Sequence, residues 1–309
     1  MAAPVLAQTK WDLPAGYAAG NYHTENLVKF ADDVKAATAG KLTIAVHANA
    51  SLFKVPEIKK AVLTGQAQIG ELLMSLLENE DPVFGVDTVP FVATSFDDAM
   101  KLWKASKAAV EKRMAAQGLK VLYVVPWPPQ GLYAKKEIAA IEDMKGLKFR
   151  AYNRGTSRIA ELVGAQPLTI QAAEVPQAAA TGVMNAFISS GSTGYDSRIW
   201  ESLTHFYDTQ AWLPKNMVFV NQKAFDALDK DTQAALLKAA AEAETRGWKV
   251  AREKTQWYLE QLAAKGMKVG PPSAALAAGF KKIGETLGKE WADRAGAEGA
   301  ALLEAYRKM

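Results

Sequence analysis

From Asp229 to Lys265 the chain runs without a proline and with a single glycine, Gly247, through a stretch rich in Ala, Leu, Lys and Glu. Such a composition favours one continuous helix. At 1.5 Å per residue it extends for about 50 Å, more than one small domain spans. A helix of that length runs along two lobes and joins them. The 309 residues fit this, since the usual prior of roughly 150 residues per domain gives two, and 49% apolar residues supply two cores.

Ahead of the helix, short β-rich runs alternate with amphipathic helical runs, the pattern of sheets covered by helices on both faces. Leu27, Phe30, Ala31 and Val34 recur at helical spacing before Gly40, and Leu42 to Val46 reads as a strand. Ser95 suits the N-cap of a helix running toward Gly118. Val121 to Val125 reads as a strand, which Trp127-Pro128-Pro129-Gln130-Gly131 interrupts. The alternation then restarts: strand 148–152, helix 157–163, strand 166–170, helix 175–180, strand 183–187, strand 217–221. The expected fold is α/β and two-lobed, with mixed sheets and the long helix bridging the lobes. Residues 1–125 plus 213–250 form the first lobe and 126–212 plus 251–309 the second, with a ligand cleft between them. After Gly270-Pro271-Pro272 two short helical patterns pack back on the second lobe.

Composition removes several function classes. The net charge of +4 comes from 37 basic residues scattered among 33 acidic ones, with no Lys/Arg block, so nucleic acid is not an expected partner. No run approaches the roughly 18 continuous apolar residues of a membrane span, so no direct membrane insertion is expected. With no cysteine there is no thiolate nucleophile, disulfide or Cys-based metal site, which suits an oxidising compartment. Val5-Leu6-Ala7 resembles the small-residue end of a secretory signal, as in an exported chain whose signal peptide has been removed.

His23, His47 and His205 lie far apart without metal-ligand spacing and read as surface or hydrogen-bonded histidines; no metal site and no cofactor are expected. Ser189-Ser190-Gly191-Ser192-Thr193-Gly194 has the wrong spacing for a nucleophile elbow and reads as a loop. Neither a phosphate-binding P-loop nor a dinucleotide fingerprint is present. The chain reads as a binding protein rather than an enzyme; the alternative is a periplasmic α/β hydrolase or lyase acting on a small organic acid.

The strand after Lys145-Gly146 alternates Leu147, Phe149 and Ala151 on one face with Lys148, Arg150 and Tyr152 on the other. Ligands of open α/β sheets bind beyond the carboxyl ends of strands, where the Arg150 guanidinium offers a planar fork to a carboxylate. The run Asp143-Met144-Lys145-Gly146-Leu147-Lys148-Phe149-Arg150 closely resembles the signature of DctP-type substrate-binding proteins of TRAP (tripartite ATP-independent periplasmic) transporters. Thr38-Ala39-Gly40-Lys41-Leu42, Val62-Leu63-Thr64-Gly65-Gln66, Val89-Pro90-Phe91, Thr181-Gly182-Val183 and Asn221-Gln222-Lys223-Ala224-Phe225 follow the same family in order. The resemblance implies a periplasmic receptor that closes by hinge bending on a small organic acid, anchors its carboxylate at Arg150 and delivers it to integral-membrane permease subunits.

Departures from the family bear on the ligand. Met184-Asn185-Ala186-Phe187-Ile188-Ser189-Ser190 replaces a more polar strand, so Phe187 and Ser189 become candidate site residues. A second arginine of sialic-acid-binding relatives aligns with Gln130. Trp127 and Trp212 fall where the fold implies cleft walls, and Glu71, Tyr22 and Asn21 are the first-lobe candidates for a hydroxyl or amino group. These features favour a monocarboxylate with an apolar or aromatic body over a sugar acid or small dicarboxylate.

Overall fold

The computed structural model describes residues 8–309; the Val5-Leu6-Ala7 segment lies outside the described residues. Chain order begins with β1 (Thr9–Pro14), α1 (Tyr22–Ala37), β2 (Leu42–His47), α2 (Val55–Leu63), β3 (Ile69–Leu73), α3 (Phe96–Ala116) and β4 (Leu119–Pro126). Next come β5 (Gln130–Ala134), β6 (Lys148–Ala151), α4 (Arg154–Leu162), β7 (Gln166–Thr169), α5 (Val175–Ala180), β8 (Ala186–Ser190) and α6 (Gly191–Asp196). The chain closes with β9 (His205–Tyr207), β10 (Lys215–Asn221), α7 (Gln222–Asp226), α8 (Lys230–Ala264), β11 (Lys268–Gly270) and α9 (Ala274–Arg307).

The long helix forms as α8, 35 residues, with Asp229 capping it by accepting from Thr232 N at 2.9 Å. Ser95 caps α3 by accepting from Asp98 N at 3.1 Å. The C-terminal pattern is a 34-residue run whose helical path breaks at Gly296, which takes φ +59. Three local expectations change. Gln130 does not sit in an irregular crossing but opens β5; β8 begins at Ala186, three residues later than expected; and the Ser/Gly run is not a loop. Ser189 and Ser190 end β8, and Ser190 Oγ caps α6 through Thr193 N at 3.2 Å.

The chain divides into two compact units, each assembled from separated segments. The first takes the residues up to Leu72, Glu111–Val125 and Asn216–Val250; the second takes Leu73–Val110, Pro126–Lys215 and Ala251–Met309. Residues 73–110 thus pack elsewhere than the first-lobe expectation for 1–125. They are tied to the second unit by Trp291 Nε1 donating to Pro82 O at 2.7 Å, Phe91 N to Ala211 O at 2.8 Å and Lys215 N to Asp87 Oδ2 at 2.8 Å.

In the first unit β1 and β2 form a parallel pair, and β10 lies between β3 and β4 in a three-stranded sheet. The early part of α8 seats on this unit: Trp248 Nε1 donates to Val124 O at 3.1 Å, Asn26 Nδ2 to Ala243 O at 2.9 Å, and Arg246 reaches Asn26 and Asp33. The second unit carries a six-stranded sheet in the order β11-β9-β5-β8-β6-β7. It is mixed: β5 runs antiparallel to β8 and β9, while β6 is parallel to β7 and β8. One of its faces packs Tyr133, Phe187 and Phe206 against Val175, Ala178, Ala179 and Leu262. Burial of this order, at roughly 25 cal/mol per Å² of apolar surface, is what holds such a sheet to its helices.

Candidate ligand-binding site

Arg150 emerges near the carboxyl end of β6, between Leu168 of β7 and Phe187 of β8 in parallel register. Its side chain is 3% exposed, and Nε donates to Ile170 O at 2.8 Å. Two residues further along the same face, the Tyr152 ring lies under the guanidinium, with Cζ 4.9 Å from the ring centroid. The Tyr152 hydroxyl accepts from Trp212 Nε1 at 3.2 Å and donates to Gln130 Oε1 at 3.3 Å. Burial raises its pKa well above the ordinary phenol value, against smaller downward pulls from Trp212 and Arg150, so it stays protonated. Gln130 completes the chain by donating Nε2 to Pro128 O at 3.0 Å. Its backbone is locked to Trp212 O and Ala211 N.

Three of the expected site residues, Arg150, Gln130 and Trp212, therefore meet in one buried network, and Tyr152 is the member that sequence reasoning did not single out. Trp127 is buried nearby in sequence, its N–H donating to Pro214 O at 2.8 Å. Phe187 stacks on Tyr133 with ring centroids 4.5 Å apart and planes 9° from parallel, inside the hydrophobic core. Ser189 is buried on β8 opposite Gly131. Directly after β6 and β7, Tyr152, Asn153, Thr169 and Gln171 line an open pocket of about 430 Å³ together with Ser75 and the first turns of α4. Asn153 shapes it, capping α4 through Thr156 N at 2.9 Å and donating Nδ2 to Ser75 Oγ at 2.9 Å.

The first-unit candidates form a separate buried group. Asn21 is the N-cap of α1, accepting from His23 N at 2.9 Å, and the Tyr22 ring centroid lies 4.3 Å from that of His23. His23 Nδ1 sits 3.6 Å from Glu71 Oε1 on β3. Burial lowers the His23 pKa well below its usual value, so the imidazole is neutral and the contact is no conventional ion pair. The same burial pushes the Glu71 carboxyl up to about 7, against the pull of an Asn216 hydrogen bond, and Tyr17 OH donates to Asn216 Oδ1 at 3.3 Å. Of the two settings expected for the histidines, surface or hydrogen-bonded, His23 is not at the surface. His47, half-exposed, pairs with Asp12 at 2.7 Å, and His205 Nδ1 lies 2.7 Å from Thr204 Oγ1. Among the described residues no group of His, Asp and Glu could hold a metal ion, and no helix is long and apolar enough to cross a membrane.

The family model of DctP, the bacterial extracellular solute-binding protein family 7, matches residues 16–294. The chain is similar, at 54% identity and a TM-score of 0.96, to DctP6, a Bordetella pertussis extracytoplasmic solute receptor binding pyroglutamic acid. That likeness covers 97% of this chain and 100% of the receptor. A marine metagenome TRAP solute-binding protein specific for pyroglutamate gives 48% identity and a TM-score of 0.97 over 98% of this chain and 100% of the other. The C4-dicarboxylate-binding periplasmic protein DctP of Rhodobacter capsulatus is 25% identical over 90% of this chain and 84% of its own length. Matched by the family model over nearly its whole length, this chain belongs to the DctP family, the periplasmic solute-binding receptors of TRAP transporters, and is not an enzyme.

Proposed function

We propose that the chain captures a small cyclic monocarboxylate, pyroglutamate before any other, and passes it to integral-membrane TRAP permease subunits. The observation that carries this reading is Arg150, a buried guanidinium near the carboxyl end of a sheet strand in a chain about half identical to two pyroglutamate receptors. A carboxylate matches the guanidinium fork in shape and charge, and the pairing strengthens where water is excluded. Pyroglutamate presents one carboxylate on a five-membered lactam, a compact body suited to the aromatic surroundings of Trp212 and Tyr152.

The test is a thermal-shift and calorimetric screen of L-pyroglutamate against succinate, L-gulonate, glucuronate and orotate. A ligand at about 100 times its Kd adds about 2.7 kcal/mol to stability, or about 4 °C in Tm for a cooperatively unfolding chain of this length. L-pyroglutamate is expected to give the largest shift, and Arg150→Ala to remove it. A larger shift with a dicarboxylate or sugar acid overturns the ligand, and full affinity in Arg150→Ala overturns the anchor. Turnover of the bound acid on incubation would reinstate the enzyme reading.

A further inference from the structure

The geometry points to Tyr152 as the positioning residue that sets the plane of the Arg150 fork, with Trp212 and Gln130 fixing Tyr152 in turn. The inference rests on Arg150 being the carboxylate anchor. An arginine side chain has four rotatable bonds, and a bidentate carboxylate contact requires its terminal plane to be correctly turned before the ligand arrives. The bond from Nε to Ile170 O holds one edge of the guanidinium. Contact with the Tyr152 ring bears on the face of the same group, by cation–π attraction and by steric support.

The ring is itself fixed at its far end. Its hydroxyl receives the Trp212 indole N–H and gives its proton to Gln130 Oε1, while Gln130 Nε2 is engaged by Pro128 O. The hydroxyl thereby uses its proton inside the protein, which assigns Tyr152 a supporting role rather than that of a ligand hydrogen-bond donor. Gln130, bonded to the Tyr152 hydroxyl and to Pro128 O, becomes a strut for the anchor. All four residues belong to the second unit, so the device is complete within it.

The experiment compares L-pyroglutamate with L-pyroglutaminol, in which a hydroxymethyl group replaces the carboxylate, by calorimetry on the full chain. Tyr152→Leu is expected to weaken L-pyroglutamate about tenfold, the size of a desolvated cation–π contact, and to leave L-pyroglutaminol nearly unchanged. Tyr152→Phe, which keeps the ring, restores most of the lost ratio, and Gln130→Met gives an intermediate value. In an Arg150→Lys background, Tyr152→Leu changes the ratio no further. Equal weakening of both ligands, or no weakening of either, overturns the inference.

A ligand-free arm keeps the inference decidable even if the parent does not bind L-pyroglutamate, a result that would sink the ligand reading alone. Nitrogen-15 relaxation at Arg150 Nε is expected to show order comparable to the backbone in the parent and to fall in Tyr152→Phe and further in Tyr152→Leu, with Arg158, held by Glu290, unchanged. Unaltered Arg150 order in both variants overturns the inference. If Tyr152→Leu fails to fold, the Phe and Gln130→Met variants carry both arms.

Discussion

Glu71 shows how burial converts a side chain into a pH dependence. Its folded-state pKa of about 7 lies above the ordinary 4.5, so the native chain holds a proton that the unfolded chain releases. Stability from this group is present at acid pH and is lost as pH rises through that window, amounting to about 3 kcal/mol when the window has been crossed. Asp87, raised to about 6 by burial despite Lys215, contributes in the same direction. Glu71→Gln removes only the first contribution. Urea unfolding at about pH 5 and about pH 8 should therefore show the variant gaining on the parent at the higher pH, whereas parallel losses would refute the assignment. At this scale the sequence was informative about Arg150, whose place follows from strand alternation and the turn before it. The roles of Gln130, Trp212 and Tyr152 were not readable, because their mutual hydrogen bonds join positions on three different segments. The burial of His23 was hidden for a related reason: nothing local to it reveals that Tyr17, Tyr22 and Glu71 close around its ring.

Among elements, α4 is the one whose start shapes the surroundings of the site. Asn153 accepts from Thr156 N and donates to Ser75, while Thr156 Oγ1 accepts from the backbone of both Tyr152 and Asn153. Asn153→Ala loses the cap and the bond to Ser75 together, an expected cost of about 2 kcal/mol in denaturant unfolding. Asn153→Asp keeps the cap acceptor and should recover about half of that. Long helices were legible because periodicity and caps are local properties, and α8 starts one residue from its expected limit. Strand β5 was hidden behind Pro128-Pro129, and Gly131 within it looked like a breaker. Its glycine answers a distant demand instead: a Cβ there would stand 2.3 Å from the Phe206 ring and 2.6 Å from Tyr207 O. Likewise Gly194, part of the apparent loop, is needed because a Cβ would meet the Tyr133 hydroxyl at 2.2 Å. Close packing against another strand imposes glycine without leaving a mark in the neighbouring sequence.

For the whole molecule, the two-unit organisation could be inferred from the restart of the alternation after Pro126, but the placement of residues 73–110 could not. Their attachment to the second unit depends on Trp291 and Lys215, more than a hundred residues further on. A fragment ending at Val125 should show no cooperative thermal transition, because β10 lies between β3 and β4 and is missing from it. Circular dichroism would measure this, and a sigmoidal melt of the fragment would contradict it. The middle strand of that sheet is also the last of its strands to be synthesised. At the usual rate of chain elongation, Asn221 follows the first residues by roughly 10 to 40 s, and throughout that interval the first unit's sheet lacks the strand that knits it together. The order of synthesis and the order in the sheet thus differ, so this sheet cannot close strand by strand as the chain emerges.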